Sequence, residues 1–254
     1  MKEWITGRNP VYEVLRARRR DVFRIWVAEG AQEKGRLEET LRAAGARRVP
    51  LERVSRARID ALGENPQGIA AEVSGYPYAQ VEDILARAAH NGEPPFILIL
   101  DTLQNPQNLG TLLRTAEAAG VHGVVLPLRH AAEVTPAVVS ASSGASEHLL
   151  IAQANLALAI RTLKAEGVWV VGLEGDAGQL PDEIRLDGPL AMVVGNEGEG
   201  MRQLVRKSCD FLLRLPMLGQ VESLNAAVAG SVALYLAVLA RKKPAEDPKI
   251  PHPK

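Results

Sequence analysis

The chain has 254 residues, 46% hydrophobic and 24% charged, with 30 Lys and Arg balanced by 30 Asp and Glu. This is the composition of a globular protein with room for one large domain or two modest ones. A single cysteine, Cys209, excludes an intramolecular disulfide framework and a cysteine-based zinc cluster. The five histidines have no ligand spacing, so no metal is expected. The N-terminus lacks the apolar stretch of a secretory signal, and a cytoplasmic protein is the simplest reading.

In chain order, residues 9–19 read as a helix with an Asn cap and Pro10 at its first position. Residues 22–28 alternate as a strand, and 32–44 read as a helix stopped by Gly45. Residues 47–50 form a short strand, 51–62 a helix and 69–73 another strand, which together make a small α/β unit over residues 1–75. Its charge is skewed. Residues 1–77 carry 15 Lys and Arg against 11 Asp and Glu, and the remainder 15 against 19. One arginine run holds Arg16, Arg18, Arg19 and Arg20, a second Arg47, Arg48, Arg53, Arg56 and Arg58. Arginine pairs bidentately with phosphate, so these runs are either an RNA-attracting face or a solvated, salt-bridged surface.

Residues 76–94 are rich in Gly and Pro, carry one helical piece at 81–89, and read as a linker. A second domain, residues 95–243, opens on the apolar run 96–100, which suits a buried parallel strand. Helices at 109–119, 136–142, 156–166, 201–207 and 224–241 then interleave with strands at 123–126, 149–152, 168–173, 190–194 and 211–215. That order predicts an α/β domain with a mainly parallel sheet covered by helices. The apolar stretch 226–240 falls short of the roughly 20 residues a membrane span requires, so it is expected in the core or at a subunit interface. Residues 244–254 read as a tail.

In an open α/β sheet, ligands sit beyond the C-terminal ends of the strands, and three loops there are rich in Gly, Asn, Glu and Ser. In the first, residues 101–114, Asn108 is placed to cap the following helix. Gly110 and Arg114 are four apart and share a helical face, which leaves a bare patch under the guanidinium. The second, Gly195-Asn-Glu-Gly-Glu-Gly200, permits close backbone approach. Its two carboxylates suit a cation or ribose hydroxyls rather than phosphate. In the third, residues 215–225, Ser223 and Asn225 either cap the last helix or face a site. Each loop alone is also consistent with a turn or a cap, the first of them more readily so than not.

Together, N-P-x-N-x-G-x-x-x-R, then G-N-E-G-x-G, then P-M-x-G-x-x-x-S-L-N, in that order, closely resemble the SpoU/TrmH family of the SPOUT superfamily. The resemblance spans residues 96–241. It implies S-adenosylmethionine-dependent methylation of an RNA ribose 2′-hydroxyl, a trefoil-knot domain and a homodimer. Residues 7–15 (GRNPVYEVL) and 67–71 (QGIAA) look like the small domain, itself resembling RNA-binding ribosomal proteins, that precedes the catalytic domain in bacterial 23S rRNA guanosine-2′-O-methyltransferases. Pro66 departs from the His common in those enzymes. The readings left beside 23S rRNA are a tRNA or another rRNA nucleoside as target, and a non-catalytic RNA-binding member of the fold.

By motif, the resemblance assigns the adenosine-binding backbone to Gly195, Leu215 and Leu224, and apolar walls to Val194 and Met217. Asn196 and Glu197 would shape the pocket near the substrate, and Asn108, Ser223 and Asn225 would orient the reacting groups. The family assigns Arg114 as general base. A guanidinium, with a pKa above about 12, is a poor base; the alternative is a clamp on the RNA phosphate that stabilises charge on the ribose oxygen.

Overall fold

The computed structural model describes residues 2–129, 132–196, 198 and 200–242. The N-terminal part contains β1 (Lys2–Thr6), α1 (Arg8–Ala17), β2 (Val22–Ala28), α2 (Arg36–Ala46), β3 (Leu51–Val54), α3 (Arg56–Asp60) and β4 (Ile69–Ser74). Its four strands run in the order β1-β4-β2-β3, with β4 antiparallel to both neighbours and β2 parallel to β3.

Four local expectations shift here, one being the helix over 51–62, of which residues 51–54 form β3 and only 56–60 are helical. β1 was not anticipated; its side chains lack regular alternation, and it forms as an edge partner of β4. Residues 47–50 are not a strand, because Arg47 N bonds Ala43 O, Val49 N bonds Ala44 O, and Arg48 adopts a left-handed φ of 54°. These groups close the end of α2, so β3 starts only at Leu51. Gly45 lies inside α2 rather than ending it.

Next come α4 (Val81–Asn91), β5 (Phe96–Leu100), α5 (Pro106–Ala118), β6 (Gly123–Pro127), α6 (Pro136–Ala141), a 3-10 turn (Ala145–His148), β7 (Leu150–Ala154) and α7 (Leu156–Ala165). The chain continues through β8 (Trp169–Leu173), β9 (Leu190–Val194), α8 (Gln203–Ser208), β10 (Phe211–Leu213) and α9 (Ala226–Lys242). The six strands are all parallel, in the order β10-β8-β9-β5-β6-β7. Every residue of β5 and of β9 is buried, as continuous apolar runs in a two-sided parallel sheet require. α4 covers one face: a Cβ at Gly123 would lie 2.5 Å from Ile84. After β10, at the sheet edge, the chain returns to the centre. There a Cβ at Gly230 of α9 would lie 2.7 Å from Leu112 and 3.0 Å from Val194. Among the described residues no helix is long and apolar enough to cross a membrane. The tail at 244–254 lies outside the described residues.

The two sheets are joined by polar contacts that use part of the first arginine run. Arg20, 2% exposed, donates from Nε to Glu147 Oε2 (3.0 Å) and from Nη1 to Glu3 Oε2 (3.0 Å). A buried guanidinium is costly unless paired in this way. Burial pushes the Glu147 carboxyl up, and Arg20 opposes that shift. Arg19 donates to Tyr76 Oη, Pro77 O and Leu149 O. Burial pushes the Tyr76 phenol up to about 12, so it keeps its proton for Leu149 O (2.8 Å) and Ser146 O (2.9 Å). Arg19 and Arg20 therefore belong to the domain joint, not to an open RNA-facing surface.

Candidate active site

β9 ends at Val194, and the loop that follows folds onto its own start. Asn196 N donates to Gly200 O and Gly200 N to Asn196 O, each at 3.0 Å. The turn leaves no room at Gly195, where a Cβ would lie 2.4 Å from Gly200 C and 2.5 Å from Met201 N. Asn196 Oδ1 accepts from Gly198 N at 3.3 Å. Two carboxylates brace the far side of the loop. Glu174, just after β8, accepts from Met201 N (3.0 Å), and buried Asp101, just after β5, accepts from Arg202 N (2.8 Å) and Arg202 Nε (2.7 Å). Neither acid was singled out in the sequence. Their position directly after strand ends was the available signal.

The loop after β10 lies beside this turn, and together they enclose a cleft of about 240 Å³. Of the sequence candidates, Val194, Gly195 and Asn196 line it from one side, and Leu215, Met217, Ser223 and Leu224 from the other. Glu174 and Glu222 add two carboxylates to the wall. Apolar walls around loop backbone suit a purine nucleoside, and carboxylates suit a cationic group, so the donor set fits S-adenosylmethionine. Glu197 lies outside the described residues.

Asn225 is the helix cap that one sequence reading allowed: its Oδ1 accepts from Ala227 N (3.0 Å) and Val228 N (3.2 Å) at the start of α9. Its Nδ2 donates to Asn108 Oδ1 (3.3 Å), so one amide ties α9 to α5 beside the cleft. Asn108 itself is not a cap. Asn105 fills that place with its Oδ1 accepting from Gln107 N (2.8 Å), and α5 therefore begins earlier than predicted. Thr115 and Ser231 hydroxyls meet at 2.9 Å further along the same two helices.

Arg114 is exposed on α5, outside the wall of the cleft, and donates from Nη1 to Ser143 Oγ (3.3 Å). The bare patch expected at Gly110 is absent. A Cβ there would lie 2.4 Å from Ala141 Cβ and 2.9 Å from Ser142 N, so the glycine lets α6 pack on α5 rather than admitting a ligand.

Residues 95–235 match the SpoU rRNA Methylase family. The chain belongs to this family. SpoU methylases transfer a methyl group from S-adenosylmethionine to RNA 2′-hydroxyls. Residues 4–79 match a second family, described as RNA 2′-O ribose methyltransferase substrate binding. A putative TrmH family tRNA/rRNA methyltransferase of Bacillus subtilis, YacO, is 41% identical over 238 residues, covering 92% of this chain and 94% of that one. The 23S rRNA (guanosine-2′-O-)-methyltransferase RlmB of Pseudomonas putida is 42% identical over 245 residues, covering 94% and 97%. An AdoMet-bound rRNA methyltransferase from Sinorhizobium meliloti superposes with a TM-score of 0.76 at 25% identity, covering 93% of this chain and 86% of that one. This SpoU chain thus has the SPOUT-type α/β fold that its motifs imply.

Because the turn after β9 closes on Gly195 through backbone atoms, no side-chain movement relieves an added methyl group. Gly195→Ala is expected to weaken S-adenosylmethionine binding at least about tenfold by calorimetry. Gly188→Ala, where a Cβ meets nothing within 4 Å, is the control and should bind as wild type.

Proposed function

We propose that this SpoU methylase acts in the cytoplasm as a homodimer and methylates the 2′-hydroxyl of a guanosine ribose in 23S rRNA. The observation that carries the reading is the cleft at the ends of β8 and β9, with the Asn108–Asn225 pair tying α5 to α9 beside it. The 23S target is supported by the near full-length similarity to the Pseudomonas enzyme. Residues 1–75 recruit RNA, 76–94 connect, and 95–243 carry the transfer. On the first part, a polar groove of about 720 Å³ is lined by Arg8, Lys34, Arg56, Asn65 and Gln67. Arg8 N donates to Gln67 Oε1 (3.0 Å), which locks the two sides of this groove together.

In the cleft, the backbone at Gly195, Leu215 and Leu224 holds the adenosine part of the donor, with Val194 and Met217 as walls. S-adenosylmethionine supplies a methyl group already activated on a sulfonium. The protein therefore has to align the ribose oxygen and accommodate one proton. Asn108, Ser223 and Asn225 orient the reacting groups, and Asn196 and Glu197 shape the substrate side. Arg114 clamps the RNA phosphate and stabilises negative charge on the ribose oxygen, since a guanidinium keeps its proton, and the hydroxyl proton leaves to phosphate or water. Arg114→Ala should lower kcat about 100-fold or more on a 23S rRNA transcript while donor affinity is unchanged. A near wild-type rate with intact donor binding would remove Arg114 from the mechanism.

The dimer is supported by α9. Val228, Val232, Tyr235 and Leu239 repeat at spacings of four, three and four residues, which places them on one helical face. Each is between 42% and 59% exposed. A second copy, packing the same stripe against this one, would bury it in a two-fold interface. Val232→Asp is expected to convert the dimer to monomer in light scattering. A wild type that is monomeric at micromolar concentration would contradict the assembly.

A further inference from the structure

We propose that the N-terminal domain positions Arg114 through Ser143, so that the RNA-recruiting groove and the reacting guanidinium are linked by one helix. The inference rests on the role given to Arg114 above. Arg114 is a long side chain on an exposed helix face, and such a side chain samples many rotamers unless something holds it. The holder is Ser143 Oγ, 3.3 Å from Nη1.

Ser143 has a left-handed φ of 54°, a conformation that a non-glycine residue keeps only when its surroundings impose it. Two hydrogen bonds end α6 here, Ser143 N to Ser140 O (2.9 Å) and Gly144 N to Val139 O (2.8 Å). The rest of the constraint comes from the other domain. Gly144 has a φ of 87°, and a Cβ on it would lie 2.7 Å from Glu13 Cβ and 3.1 Å from Pro10 Cα, both on α1. His148 Nε2 and Glu13 Oε2 are 2.7 Å apart. Glu147 is held by Arg20, and the carbonyls of Ser146 and Leu149 by Tyr76. The turn that presents Ser143 is therefore gripped by α1, by Arg20 just after it, and by Tyr76 after β4.

α1 is also the helix that starts at Arg8, in the wall of the RNA groove. Arg8, Pro10 and Glu13 lie within two turns of one another. α1 thus connects the groove wall at Arg8 to Gly144 directly, then to Ser143, then to Arg114. Ser143 and Glu13 are positioning residues: neither touches the reacting atoms in this scheme.

The test uses the full chain, a 23S rRNA transcript and S-adenosylmethionine labelled in the methyl group. Ser143→Gly suits the left-handed backbone and removes the hydroxymethyl side chain, and with it the acceptor for Arg114. It should lower kcat about tenfold, while the KM for transcript and the donor Kd stay within about twofold. Ser143→Asn, an acceptor that tolerates left-handed φ, should recover at least half of the wild-type kcat. Glu13→Ala keeps the Cβ against Gly144 and loses the His148 tie; it should lower kcat about threefold. Combined with Ser143→Gly it should add no further loss, because Glu13 acts through Ser143. A wild-type kcat for Ser143→Gly, a failed Asn rescue, losses that multiply, or loss of donor binding in Ser143→Gly would each overturn the inference. Arg114→Ala measured alongside separates the two levels. If it is active, the role of Arg114 falls and takes the inference with it. If it is crippled while Ser143→Gly is normal, only the inference falls.

Discussion

At Gly195 the backbone of the loop after β9 returns so close to its own start that no side-chain atom fits. The cleft exists because of that approach. Strand β9 is buried on both faces and carries the loop out of the sheet centre. Glu174 and Asp101, at the ends of β8 and β5, then hold Met201 and Arg202 so that the loop cannot open. Hydrogen bonds from backbone N–H to carboxylates are among the stronger polar contacts available to a protein, and here they stiffen a binding wall made largely of backbone. The return of α9 across the sheet depends on a second close approach, at Gly230. It brings the loop after β10 against the first loop and closes the cleft.

The α5 side of the cleft is built differently. The Asn225–Asn108 contact and the Thr115–Ser231 contact register α5 against α9, while Arg114 stands on the far side of α5, where α6 and its terminal turn meet it. The cleft is therefore built from elements of the second domain alone, whereas the turn that meets Arg114 is packed against α1 of the first. Two domains linked by a buried Arg20–Glu147 pair and a protonated Tyr76 form a joint that resists rearrangement, since breaking either contact leaves a buried polar group without a partner.

Much of this was legible in the sequence. The apolar runs of β5 and β9 announced a two-sided parallel sheet, and two of the three polar loops, those after β9 and β10, lie at the cleft. Every candidate on the loops after β9 and β10 that the structure describes, except Asn225, lines the cleft, and Asn225 caps the helix beside it. What stayed hidden depended on partners distant in the chain. Asp101 meets Arg202 across 101 residues and Glu174 meets Met201 across 27, so each reads as an isolated acid. Gly110 offered two meanings, ligand approach or helix packing, and only the position of α6 decides between them. Arg19 and Arg20 read as part of a surface charge run because nothing local marks Glu147 and Leu149 as their partners. β1 is a strand by virtue of β4, 68 or so residues away, rather than by its own pattern.

This fold serves the transfer of a methyl group to a ribose oxygen of RNA. Nucleotide-resolution mapping of 2′-O-methyl groups, on 23S rRNA incubated with the protein and S-adenosylmethionine, tests it most directly. One new 2′-O-methylguanosine that depends on both protein and donor is expected. Methylation on a base atom, or no transfer to ribosomal RNA by a protein that binds the donor, would contradict it.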